Sequence, residues 1–191
     1  IALSEKGLGK CAPNPIVGCI IIDSNNNVIA EEFHNGGAHA ESKAINSIKV
    51  IPPGATLFTT LEPCNHQGKT EPCSDLIIKS GIKNVIYSIT DPNSVAQGGS
   101  KKLREAGLNV TSGVLSEKVE FTNRHWLQKI KTGRPYFTWK IAMTLDGKIA
   151  ALDGSSKWIT SAESRDEVSK LRSQADAVLI GTGTALADNP S

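Results

Sequence analysis

Three residues able to hold a metal ion, His39, Cys64 and Cys73, lie at the edges of three different predicted elements, and they constrain the fold more than anything else in the chain. If they act together, the helix-like stretch from His39 to Ile48, the strand-like run from Ala55 to Leu61 and the helix-like stretch from Cys73 to Lys79 must end at one place. The rest of the pattern allows this. Ala2 to Lys10 reads as the tail of a helix closed by Gly9, and Ile16 to Asp23 as a buried strand. Ser24 to Asn27 is a turn rich in Asn, which tolerates left-handed backbone, and Val28 to Phe33 is the returning strand. Pro52-Pro53-Gly54 breaks the chain, Pro72 suits the first turn of a helix, and Gly81 suits its end. Val85 to Ile89 and Leu108 to Thr111 read as strands around a helix from Lys101 to Ala106. Strands alternating with helices predict a layered α/β domain with a largely parallel sheet.

A helix capped by Ser116 is predicted to run to about Ile130, and residues 1–131 form the first domain, with 132–135 (Thr132-Gly133-Arg134-Pro135) as a linker. In residues 136–191 we expect a strand from Tyr136 to Met143, a turn at Leu145-Asp146-Gly147 and a capping box from Thr160 to Glu163. That box would open a helix reaching Arg172, and Ala177 to Ile180 would be another buried strand. The 191 residues are 39% hydrophobic and 21% charged, as in ordinary soluble globular proteins. No run of 18 apolar residues predicts a membrane span. A net charge of +2 is too small to argue for nucleic acid. Ile1 reads as the first ordered residue of a chain whose natural start lies further upstream, with no secretory signal. The 4 Cys therefore read as ligands or core residues rather than disulfides.

The chemistry of the three ligands is specific. A catalytic zinc takes three protein ligands and keeps a fourth position for a water whose pKa it lowers to roughly 7. Two thiolates and a neutral imidazole offset the charge of the ion. Glu41, two residues after His39, can face the open position and move protons rather than bind the metal. Zinc deaminases carry His-x-Glu followed by Pro-Cys-x-x-Cys. Here His39-Ala40-Glu41 fits the first half, while eight residues separate Cys64 from Cys73. Two other readings stay open: a structural zinc with His66 as fourth ligand, and a noncatalytic zinc-stabilised binding module. Cys11 and Cys19 fit no ligand spacing, and Cys19 reads as core.

On these motifs the chain resembles the bifunctional riboflavin-biosynthesis deaminase/reductases. The resemblance is carried by Asn14-Pro15-Ile16-Val17-Gly18, Ala38-His39-Ala40-Glu41, the run from Thr60-Leu61-Glu62-Pro63-Cys64 to Pro72-Cys73, and Asp91-Pro92-Asn93. It continues in Gly133-Arg134-Pro135-Tyr136, Lys140 to Gly147, Ser156 to Thr160 and Gly181 to Pro190. The eight-residue gap with His66, Gly68, Lys69 and Thr70 is that family's form of the second motif. The resemblance implies a three-layer α/β/α cytidine-deaminase-like domain followed by the incomplete start of a dihydrofolate-reductase-like α/β domain.

The implied reactions are hydrolysis of the 2-amino group of 2,5-diamino-6-ribosylamino-4(3H)-pyrimidinone 5′-phosphate and NADPH-dependent reduction of the ribosyl chain. Zn2+ would be held by His39, Cys64 and Cys73, with Glu41 shuttling protons. Asn14, His66, Lys69 and Asn93 would line the pocket, and the Lys69 cation suits the 5′-phosphate. NADPH would meet Ala142, Trp158, Thr184 and Asp188, and Ser156 and Arg172 would touch the reductase substrate. The loop between His34 and His39 is about two residues shorter than the family pattern. Residues 136–191 are too few to bury an adequate core alone, so we expect no reductase activity from this stretch by itself. Another zinc-dependent nucleoside or nucleotide deaminase is the nearest alternative. We further expect a cytoplasmic homo-oligomer with a small-molecule substrate and no nucleic-acid or membrane partner.

Overall fold

In the computed structural model, which describes residues 1–68 and 70–189, the chain divides into two compact units, Ile1–Tyr136 and Phe137–Ser191. In the first unit a short helix α1 (Ala2–Glu5) precedes β1 (Gly18–Ile22) and β2 (Val28–Phe33). Asn26 takes the left-handed backbone that its turn needs, at φ 65. The Asp23 carboxylate accepts the N–H groups of Asn25 (2.8 Å) and Asn27 (2.9 Å) and fixes the hairpin. Helix α2 (Ala40–Asn46) leads to β3 (Thr56–Leu61), α3 (Cys73–Ser80) to β4 (Asn84–Ile89), and α4 (Gly99–Glu105) to β5 (Asn109–Thr111).

The five strands lie in the order β2-β1-β3-β4-β5. The sheet is mixed rather than largely parallel: β1 runs antiparallel to both β2 and β3, while β3–β4 and β4–β5 are parallel. A two-strand hairpin can only be antiparallel, and the helical crossovers that make parallel pairs begin after β3. Alternation along the strands sets the core. Cys19, Ile21, Leu57, Leu61, Val85 and Ile89 face one side and pack with Ala44, Ile45, Ile77 and Leu103 of the helices. Each fully buried aliphatic there contributes about 1.5–3 kcal/mol. On the opposite face Ile20, Phe58 and Ile86 are half-buried beside Ile1, Leu3 and Leu115, so helices border both faces.

Three local expectations change. The first helix stops at Glu5 rather than reaching Gly9. The long helix from Ser116 is two helices, α5 (Ser116–Thr122) and α6 (Arg124–Thr132), and Leu115 rather than Ser116 is its N-cap. The break falls at Asn123, whose buried amide leaves the helix pattern to pair with the backbone of Ile16: it accepts from Ile16 N–H (3.0 Å) and donates to Ile16 O (3.1 Å). Pro72 stands at the N-cap of α3, one place before its first turn, and Gly81 closes that helix at φ 83.

In the second unit the expected strands at 136–143 and 177–180 do not form. Trp139 (87% exposed) and Leu179 (90%) have no facing strand to complete a ladder, and an unpaired strand is not a stable element in water. The turn at Gly147 does form, with Gly147 N–H donating to Thr144 O (2.9 Å). Helix α7 (Ala162–Ser173) is capped by Ser161, which accepts from Ser164 N–H, one residue later than the expected Thr160. Helix α8 (Thr182–Asp188) follows Gly181.

Candidate metal centre

The three metal-binding candidates meet. The ligand atoms of His39, Cys64 and Cys73 all lie within 4.8 Å of one another. His39 is the N-cap of α2 with extended backbone, and its ring makes no cap bond, so it is free to turn toward the sulfurs. Cys64 follows the end of β3, and Cys73 opens α3. The first N–H groups of a helix have no partner within it; in α3 they are spent on Cys64. Cys73 N–H reaches Cys64 Sγ (3.4 Å) and Ser74 N–H reaches Cys64 O (3.1 Å), which closes the eight-residue loop on itself. His39 Nδ1 stands 3.5 Å from Cys64 Sγ and 3.3 Å from Cys73 Sγ. Donors at zinc distances of about 2.1 and 2.3 Å and a tetrahedral angle stand about 3.6 Å apart, so the set fits a zinc ion.

The electrostatics agree with a cation site. The Cys73 thiol donating to Cys64 holds Cys64 down to about 4, and the same bond, with burial, pushes Cys73 up. The hydrogen bond with Cys64 raises His39. Among the described residues His66 does not join the cluster, which removes the four-ligand structural reading.

Glu41, in the first turn of α2, is 4% exposed. Thr59 Oγ donates to its Oε1 (3.2 Å), and Cys73 Sγ lies 3.8 Å from its Oε2, so the carboxyl borders the ligand cluster without belonging to it. Burial raises its pKa. Asn14 comes to the same place through His34, a residue that motif spacing alone did not assign. The His34 Nδ1–H donates to Ala38 O (3.2 Å), which leaves Nε2 to accept from Asn14 Nδ2 (3.4 Å), and the ring meets His39 edge-on at 5.7 Å. Burial lowers the His34 pKa. His66 is half-buried, and among the described residues its buried Nδ1 has no hydrogen-bond partner.

Asn93 sits in the loop after β4, its N–H donating to Asp91 Oδ1 (2.8 Å). Lys69 lies outside the described residues. In the second unit Trp158 is 70% exposed with the Arg165 guanidinium 4.4 Å above its ring. Ala142 is half-buried, while Ser156, Arg172 and Thr184 are exposed, and among the described residues these five share no hydrogen bond. The side chain of Asp188 lies outside the described set.

An α/β sheet with a three-ligand metal cluster and an adjoining buried carboxyl defines the zinc-binding deaminase class, and residues 1–89 match the cytidine and deoxycytidylate deaminase zinc-binding region. Residues 135–191 match the RibD C-terminal domain. The riboflavin biosynthesis protein RibD of Actinobacillus pleuropneumoniae is 47% identical over 100% of this chain and 51% of its own length. That of Mycobacterium tuberculosis is 45% identical over 96% of this chain and 55% of its own. The crystal structure of a diaminohydroxyphosphoribosylaminopyrimidine deaminase/5-amino-6-(5-phosphoribosylamino)uracil reductase from Thermotoga maritima superposes with a TM-score of 0.92, at 46% identity, over 99% of this chain and 55% of that one. Over nearly its whole length the chain resembles these RibD riboflavin-biosynthesis proteins. It spans about half the length of the relatives it matches. Among the described residues no helix is long and apolar enough to cross a membrane.

Proposed function

We propose that this chain hydrolyses the 2-amino group of 2,5-diamino-6-ribosylamino-4(3H)-pyrimidinone 5′-phosphate. The observation that carries the reading is the Glu41 carboxyl beside the converged His39, Cys64 and Cys73. When bound there, zinc makes a water acidic enough to attack near neutral pH. Glu41 takes one proton from the attacking water and delivers it to the ring nitrogen, then takes the second from the new hydroxyl and delivers it to the departing amine. A carbon–oxygen bond forms at C2, the carbon–nitrogen bond breaks, and ammonia leaves. Burial suits Glu41 to this work, because a carboxyl with a raised pKa takes up a proton more readily than an exposed one.

Asn14, His66 and Asn93 hold the pyrimidine and Lys69 its phosphate. The Nδ1 of His66, unpartnered among the described residues, supports a ligand-facing role. In a protein as long as its relatives, the region from 136 would belong to an NADPH-dependent reductase, with Ala142, Trp158, Thr184 and Asp188 toward the cofactor and Ser156 and Arg172 toward the substrate. NADPH titration of such a protein tests this assignment. The half-buried Ile20, Phe58 and Ile86 support a homo-oligomer, which sedimentation reads; we place it in the cytoplasm.

The decisive experiment replaces Glu41 with Gln. Ammonia release should fall about 10²–10⁴-fold while one zinc per chain remains bound. Full activity in Glu41→Gln would refute the proton shuttle. Turnover of cytidine or deoxycytidylate in preference to the diaminopyrimidinone ribotide would refute the substrate.

A further inference from the structure

A second buried carboxyl lies beside the centre and touches none of its ligand atoms. Glu62 follows β3 and precedes Pro63-Cys64, and it is 3% exposed. Both its oxygens are taken by backbone. Oε1 accepts Ser100 N–H (2.9 Å) at the start of α4, and Oε2 accepts Asp91 N–H (3.2 Å) just after β4. Its own N–H donates to Ile89 O (2.9 Å). The loop from Asp91 to Gly98 carries Asn93 and is held to the Cys64 turn at two more points. Asn65 N–H donates to Ala96 O (2.9 Å), and Gly99 packs so closely on the Pro63 carbonyl that a Cβ would fall 1.7 Å from its oxygen.

We propose that Glu62 is a positioning residue that locks the loop bearing Asn93 to the strand end bearing the metal ligand Cys64. Two buried N–H donors converge on one side chain, and only a carboxylate offers an acceptor to each. Glutamine keeps the shape but turns an NH₂ donor against one of them, leaving a buried group unpaired. The residue therefore sets how far the substrate-facing loop stands from the metal. This inference rests on the reading of Asn93 as substrate-facing.

The test uses zinc-loaded protein and steady-state ammonia release from the pyrimidine ribotide for Glu62→Gln, Asn93→Ala and the double variant. Glu62→Gln should raise KM about tenfold or more and leave kcat within about threefold, with one zinc per chain retained. The double variant should be no worse than the poorer single, because both act on one contact. Additive effects on KM, or lost zinc with a collapsed kcat, would overturn the assignment.

Amide hydrogen exchange supplies a readout that needs no turnover. In Glu62→Gln the amides of Asp91 and Ser100 should exchange about tenfold faster while those of β3 and β4 hold. Unchanged exchange overturns the proposal. If wild-type protein releases no ammonia from the ribotide, the functional reading fails and exchange still decides the role of Glu62. If Glu62→Gln does not fold, Ser100→Pro removes one of the two donors in the first turn of α4, where proline is tolerated, and takes the same measurements.

Discussion

Replacing Asn123 with Ala should cost about 2–6 kcal/mol of unfolding free energy, although the residue is no part of the metal cluster. Its amide is 3% exposed and makes paired bonds of 3.0 and 3.1 Å to the N–H and O of Ile16, itself 6% exposed. Truncation leaves one buried donor and one buried acceptor unpaired at about 1–3 kcal/mol each. Asn123→Leu refills the volume without the bonds and should recover no more than about 1 kcal/mol of the loss. Denaturant unfolding of zinc-loaded protein, followed by circular dichroism, measures both variants. Because Ile16 follows Asn14 by two residues, KM for the ribotide should rise in both. A loss below about 1 kcal/mol in Asn123→Ala, or wild-type stability in Asn123→Leu, would show that the amide does not hold Ile16 and that the break between α5 and α6 has another cause.

Three other outcomes are expected. Gly99→Ala places a Cβ 1.7 Å from a backbone oxygen next to the Cys64 turn; it should cost about 3 kcal/mol or more and weaken zinc retention in a chelator competition. Stripping the metal should abolish ammonia release and lower the thermal midpoint, since a ligand that binds only the folded state stabilises it, and adding zinc back should restore both. Hydrogen bonds from Asn27 hold the Asp23 carboxyl below its ordinary value. A depressed carboxyl contributes stability above its unfolded pKa and loses it as pH falls through the folded one. The stability gap between wild type and Asp23→Ala should therefore narrow from pH 7 into the range below about 4, and a gap that stays constant would remove the carboxylate from the hairpin.

The centre was legible because its residue types are chemically narrow. His39, Cys64, Cys73 and Glu41 declare themselves by type and spacing, and the elements that carry them follow from short apolar runs bounded by proline and glycine. What escaped the reading depends on long-range pairing. Nothing local marks Asn123 as the partner of a residue 107 positions away, and a polar residue inside an amphipathic helix looks like solvent-facing surface. The motif around Glu62 assigns it no role, since its partners at Asp91 and Ser100 come near only once β3 and β4 lie parallel. An acidic residue at the inner end of a buried strand was the available clue. His34 could not be placed without knowing how its loop folds back on Ala38. The strands expected beyond Tyr136 were read from apolar runs alone, and such a run becomes a strand only against a neighbour.

The loop between the two cysteines is pinned at its base, where α3 gives its first N–H groups to Cys64. Changes in the stretch between Asn65 and Pro72 should therefore leave both sulfurs in place, which the zinc content of a loop-altered protein reads. On the proposed assignment of His66 and Lys69 to the substrate, a new loop grafted there would alter part of the binding surface while leaving the inorganic heart of the site intact.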